Sequence, residues 1–125
     1  MKLSYIIFYV DDVTKATEFY RKAFDLEVKF IHESGTYAEM QTEGITLSFA
    51  SNSMWTPNTG LELLDTPKHG VELAFTCEDL QCAMDKSIEY GAKLITSPIQ
   101  KPWGQTVGYI CDPFGNLIEL CTPME

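Results

Sequence analysis

Apolar and polar positions alternate along the chain in two periods, near 2 and near 3.6, and the order of the two recurs. "LSYIIFYV", residues 3–10, is rich in β-branched and aromatic residues and stops at Asp11-Asp12, which predicts a strand giving way to a helix. In "DVTKATEFYRKAFDL" the apolar residues Val13, Ala16, Phe19, Tyr20, Ala23 and Phe24 share one helical face, and Asp12 stands where it can cap the first turn. "LEVKFIH", residues 26–32, alternates like a strand. "TYAEMQTE" and "ITLSFAS", joined at Gly44, predict a hairpin. The first half therefore reads β-α-β-β-β.

"NSMWTPNTGLELLDTPKHG", residues 52–70, shows no clear period and predicts a linker, with the length of a loop that could act as a lid. The order then repeats. "VELAFTC" predicts a strand, and "EDLQCAMDKSIEYG" a helix with Leu80, Ala83, Met84, Ser87 and Ile88 on one face and Gly91 at its stop. "AKLIT", "TVGYIC" and "NLIEL" follow as strands, the last two joined by Asp112-Pro113-Phe114-Gly115, where Pro second and Gly fourth favour a type I turn. Sliding the halves by 67 positions sets Tyr5 on Glu72, Phe8 on Phe75, Asp12 on Asp79 and Ala16 on Ala83, as expected of a tandem duplication. One domain is expected, with module 1 at 1–51, a linker at 52–69 and module 2 at 70–125.

Period two assigns faces. Ile6, Phe8 and Val10, like Leu73, Phe75 and Cys77, belong on the helix side, and Tyr5, Ile7, Tyr9, Glu72, Ala74 and Thr76 on the other. Ile118 and Leu120 take the helix side, which leaves Leu117 and Glu119 with Glu72. A mixed polar and aromatic face opposite the helices predicts an α+β fold of two tandem βαβββ modules, with a curved sheet around a small-molecule cavity and helices on its outer face.

Charge narrows the partners. Asp and Glu number 18 against 9 Lys and Arg, for a net charge of -9, so a phosphate-tracking surface would need strong local segregation of basic residues that the sequence does not show, and nucleic acid is not an expected partner. Cys77, Cys82, Cys111 and Cys121 show no CxxC spacing and mostly sit in apolar runs, as structural thiols do. The N-terminal apolar run is too short for a membrane span and lacks a small-residue cleavage site, so a cytoplasmic protein that does not enter membranes is expected.

The two modules, the "YVDDVTKATEFYRKAF" opening and the "PWGQTVGYICDPFGNLIEL" close together resemble the vicinal oxygen chelate superfamily of glyoxalases, extradiol dioxygenases, and fosfomycin- and bleomycin-resistance proteins. In metal-dependent members the resemblance implies ligands from the first and last strand of each module. These places fall on Tyr5, Ser48, Glu72 and Glu119, with Ser48 found by setting Gly44 against Gly115. Two carboxylates with a phenol and a hydroxyl make a weak donor set for transition metals. No tightly bound cofactor and no true glyoxalase I activity are therefore expected; if a divalent metal does bind, Glu72 and Glu119 are its ligands. His32 ends a strand and His69 lies in the linker, both read as surface histidines.

Two functions follow from the resemblance. One is ligand binding like that of the bleomycin-resistance proteins, with a small organic ligand or drug held by Trp103, Tyr9, Ser48, Glu39, Tyr109 and Trp55, and with Glu72, Glu119 and Glu39 as counter-charges to a cation. Trp103 has an equal alternative as a hairpin-packing residue, and Trp55 as a loop anchor or dimer contact. The other is a divalent-metal-dependent lyase, isomerase or dioxygenase, or a metal-free catalyst in which Glu72 and Glu119 divide base and acid roles while Tyr5 polarises a carbonyl. Against both stands a plain solvated face carrying Glu72 and Glu119. Relatives of this length imply a homodimer.

Overall fold

The computed structural model of the 125-residue chain describes residues 2–64 and 70–124. It divides into two compact units, Met1–Asp65 and Thr66–Glu125. His69 lies outside the described residues.

In the first unit β1 (Tyr5–Val10) leads into α1 (Val13–Phe24), followed by β2 (Glu27–Ile31), β3 (Tyr37–Gln41) and β4 (Thr46–Ser51). Asp12 caps α1 as its sequence position predicts, its carboxylate accepting from the Lys15 amide at 3.0 Å. Strand order is β1-β4-β3-β2, with β4 parallel to β1 and antiparallel to β3. Ala16, Phe19, Tyr20 and Ala23 of α1 are buried, as are Ala38, Met40, Leu47 and Phe49 of the sheet. Tyr20 and Phe49 meet with ring centroids 4.8 Å apart. The helix stripe and the sheet's helix-side residues thus form one core.

The second unit repeats the plan with β5 (Glu72–Thr76), α3 (Leu80–Glu89), β6 (Lys93–Gln100), β7 (Thr106–Cys111) and β8 (Leu117–Cys121), in sheet order β5-β8-β7-β6. Asp79 caps α3 through the Cys82 amide at 3.0 Å. Leu80 and Met84 are buried with Ile110, Ile118 and Leu120. Gly108 makes room for this packing, since a Cβ there would lie 2.5 Å from Met84 Cε and 3.3 Å from the Thr96 carbonyl oxygen. Asp112 closes the β7–β8 turn, its carbonyl accepting from the Gly115 amide and its Oδ1 from the Phe114 and Asn116 amides.

Three expectations are corrected. The linker is not wholly irregular, because a 3₁₀ turn at Asn52–Met54 and a short helix α2 (Trp55–Thr59) follow β4. The "AKLIT" strand runs on to Gln100 through Pro98, which an edge strand tolerates at the register shift between Thr96 and Ile99, where the ladder is already interrupted. Ile88, placed on the buried face of α3, is exposed, and so is Cys82. Among the described residues no helix is long and apolar enough to cross a membrane.

Candidate functional site

Each sheet turns one face to its helix, and the opposite face carries the polar and aromatic residues. In the first unit β4 lies in the middle, so Ser48 sits between Ile7 of β1 and Glu39 of β3. Ser48 is fully buried and Glu39 is only 9% exposed. Between them stands Tyr37, two residues from Glu39 and hence on the same face. The Tyr37 hydroxyl lies 2.7 Å from Glu39 Oε2 and 3.0 Å from Ser48 Oγ. Its one proton donates to the carboxylate, which leaves the phenol oxygen to accept from the serine. Burial, and donation to Glu39, push the Tyr37 phenol above its ordinary value.

Aromatic residues border this cluster. Phe30 pairs with Glu39 across the β2–β3 ladder, and its ring centroid is 6.0 Å from that of Tyr37. Tyr5 and Ile7 stand exposed on the same face. Tyr9 meets Trp55 edge to face at 4.8 Å, and its hydroxyl accepts from Asn58 Nδ2 at 3.2 Å. Trp55 donates its indole N–H to the Glu62 carbonyl at 3.2 Å. The short helix α2 therefore fixes the indole beside the first strand. Lys29 Nζ lies 3.8 Å from Glu39 Oε1.

The second unit builds a related pair with the residue types exchanged. Glu119 of β8 sits between Ala74 of β5 and Tyr109 of β7, as Ser48 sits between Ile7 and Glu39. The hydroxyl-bearing and carboxylate-bearing strands have changed places. Tyr109 donates to Glu119 Oε1 at 2.9 Å. That bond, burial, and the charges of Glu119 and Glu72 push the Tyr109 phenol up to about 12. Tyr109 is therefore a fixed proton donor at neutral pH.

Glu72 is exposed and pairs with Leu117, so it shares the Glu119 face one diagonal step away, not directly alongside it. Among the described residues neither Glu72 nor Glu119 forms an ion pair. Trp103 occupies the β6–β7 turn, is 60% exposed and donates to Gln105 Oε1 at 2.8 Å. His32 is exposed and bonds Ser34 within the β2–β3 turn. Among the described residues no three of His, Cys, Asp and Glu gather in a group able to hold a metal ion.

The structure thus brings Glu39 and Ser48 together, Tyr9 with Trp55, and Glu119 with Tyr109. It also adds three residues that sequence reasoning passed over. Tyr37 had a signal in the alternation of "TYAEMQ". Lys29 and Phe30 had none, because a register shift between Val28 and Phe30 brings both to Glu39.

Residues 3–125 match the family profile described as Glyoxalase-like domain. The chain is 28% identical over 129 residues to the uncharacterized protein YraH of Bacillus subtilis, covering 96% of this chain and 97% of that one. It is 27% identical over 128 residues to the uncharacterized protein Mb0911c of Mycobacterium bovis, covering 93% and 80%. A glyoxalase-related enzyme from Fulvimarina pelagi superposes with TM-score 0.87 at 19% identity, over 98% of this chain and 88% of that chain. A glyoxalase/bleomycin resistance protein/dioxygenase family enzyme from Burkholderia phytofirmans gives TM-score 0.86 at 18% identity, over 98% of both chains. At these identities the structural likeness shows the fold.

Proposed function

The chain belongs to the glyoxalase-like domain family, and on that premise we propose that it binds a small organic cation with an aromatic body, holding no metal tightly and lacking glyoxalase I activity. The observation that carries this reading is Glu39, a carboxylate almost wholly withdrawn from water, with one oxygen bonded by Tyr37 and the other 3.8 Å from Lys29, beyond hydrogen-bond distance. A buried carboxylate with a free oxygen favours a cation that can donate to it. Tyr5, Phe30 and Tyr37 add ring faces to which a cationic or aromatic group is attracted. In the second unit, taken by itself, Glu119 and Glu72 carry negative charge without an ion-pair partner among the described residues.

The donor chemistry supports the metal-free reading. At the positions where metal-using relatives place ligands, Tyr5 offers a phenol oxygen and the Ser48 hydroxyl is engaged by Tyr37. Glu119 already accepts from Tyr109. Such a set fits a transition metal poorly. The alternative is a divalent-metal-dependent lyase, isomerase or dioxygenase using Glu72 and Glu119, which rests on those two carboxylates having no ion-pair partner among the described residues. Metal content after purification without chelator separates the two: stoichiometric metal that is lost in Glu72→Gln and Glu119→Gln would establish the alternative.

We further propose a homodimer, consistent with the exposed Leu94, Ile95 and Ile99 of edge strand β6. Tryptophan fluorescence tests the binding reading, because Trp55 packs on Tyr9 of the same face. Cationic aromatic ligands should quench the parent and leave Glu39→Gln unchanged; equal quenching in both would refute the role given to Glu39.

A further inference from the structure

We propose that Lys29 is a displaceable internal counter-cation whose strength of attachment to Glu39 sets how tightly a cation binds there. The proposal rests on the reading of the Glu39 face as a cation site and assigns the tuning of its affinity to one residue.

The β2–β3 ladder pairs Val28 with Met40 and Phe30 with Glu39, leaving Lys29 without a cross-strand partner of its own. A bulge of this kind sets two residues against one and re-aims their side chains. Here the two are a cation and an aromatic ring, and the one is the buried carboxylate. The Lys29 side chain is 52% exposed while that of Glu39 is 12% exposed. The lysine therefore reaches in from water, and its ammonium stops 3.8 Å from Glu39 Oε1. That separation gives charge compensation without a hydrogen bond. Glu39 Oε2 is held by Tyr37, so the carboxylate stays fixed if the lysine leaves.

An ammonium or amidinium on an aromatic body can replace the lysine and improve on it. It donates directly to Oε1, and its body lies against Phe30 and Tyr37, whose rings are inclined at 52°. The freed Lys29 ammonium returns to water, where it is well hydrated and its four-carbon stem is flexible. Ligands that cannot donate to Oε1 gain nothing from displacing it. Lys29 thus sets a cost that every ligand reaching Oε1 must meet, and a donor cation recovers that cost there while a neutral aromatic does not.

Titration calorimetry with benzamidine, at fixed pH and ionic strength, tests this on four proteins: the parent, Lys29→Gln, Lys29→Arg and Glu39→Gln. Removing the competing charge should tighten binding roughly three- to fivefold, the range an exposed ion pair can hold back. Lys29→Arg should weaken binding by a similar factor, because a guanidinium engages a carboxylate with two hydrogen bonds. Glu39→Gln should abolish it. Affinity in the order Gln, Lys, Arg supports the proposal. Any other order among the three, with Glu39→Gln still inactive, overturns the role of Lys29 and leaves the cation site standing. Undiminished binding in Glu39→Gln overturns the site itself.

Discussion

Replacing Tyr109 by Phe removes one oxygen and leaves the ring. The lost group is the donor to Glu119 Oε1 at 2.9 Å, and a hydrogen bond to a carboxylate contributes about 1.5–3 kcal/mol when well shielded. Tyr109 is only partly buried, so solvent screening brings the expected loss at pH 8 to about 1 kcal/mol. The pH dependence is more diagnostic. The Tyr109 phenol is pushed from its ordinary 10.0 up to about 12, so the folded chain keeps a proton that the unfolded chain releases earlier. Below pH 9 both states hold the proton and the stabilisation is complete. Between about pH 10 and 12 the unfolded state binds fewer protons, and stability falls as pH rises. A shift of that size corresponds to at most about 2.7 kcal/mol, reduced to about 1 kcal/mol by exposure. Urea unfolding of the parent and Tyr109→Phe should give a stability difference that shrinks by about that amount between pH 8.5 and 11.5. Absorbance at 295 nm should show the variant missing a late step among the six tyrosinates. A difference independent of pH, or a missing step near pH 10, would refute the Tyr109–Glu119 bond as the cause.

Gly108→Val should cost about 1–3 kcal/mol by calorimetry, since its Cβ would meet Met84 Cε and the Thr96 carbonyl oxygen in a packed core. Asp79→Ala should cost about 1 kcal/mol through the lost bond to the Cys82 amide, and Asp79→Asn much less, because Asn caps equally well. Of the four thiols, exposed Cys82 should react first with a disulfide reagent. Burial pushes the thiols of Cys77, Cys111 and Cys121 up, and these should react slowly until the chain unfolds.

Much of the architecture was legible because each signal is local. Asp12 announces its helix by capping chemistry, and alternation in "YIIFYV" and "NLIEL" sorts the faces without any tertiary knowledge. The 67-residue repeat then links Tyr5 to Glu72. What escaped depends on pairing across strands. Glu119 was placed on the correct face, yet its partner is Tyr109 and not Glu72, and only the β7–β8 register decides that. The β2 bulge shifts Lys29 and Phe30 together onto Glu39, which no periodicity records. Trp55 was read in a linker with no regular structure, because a five-residue helix is shorter than the period test can detect.

The central claim is that a positive charge on the ligand is recognised by the withdrawn carboxylate of Glu39. Benzamidine and benzamide share shape and aromatic area and differ in charge. Calorimetric titration of the parent with each should show benzamidine binding at least about tenfold more tightly, equivalent to about 1.4 kcal/mol. Equal affinity for the cation and its neutral counterpart would contradict the account.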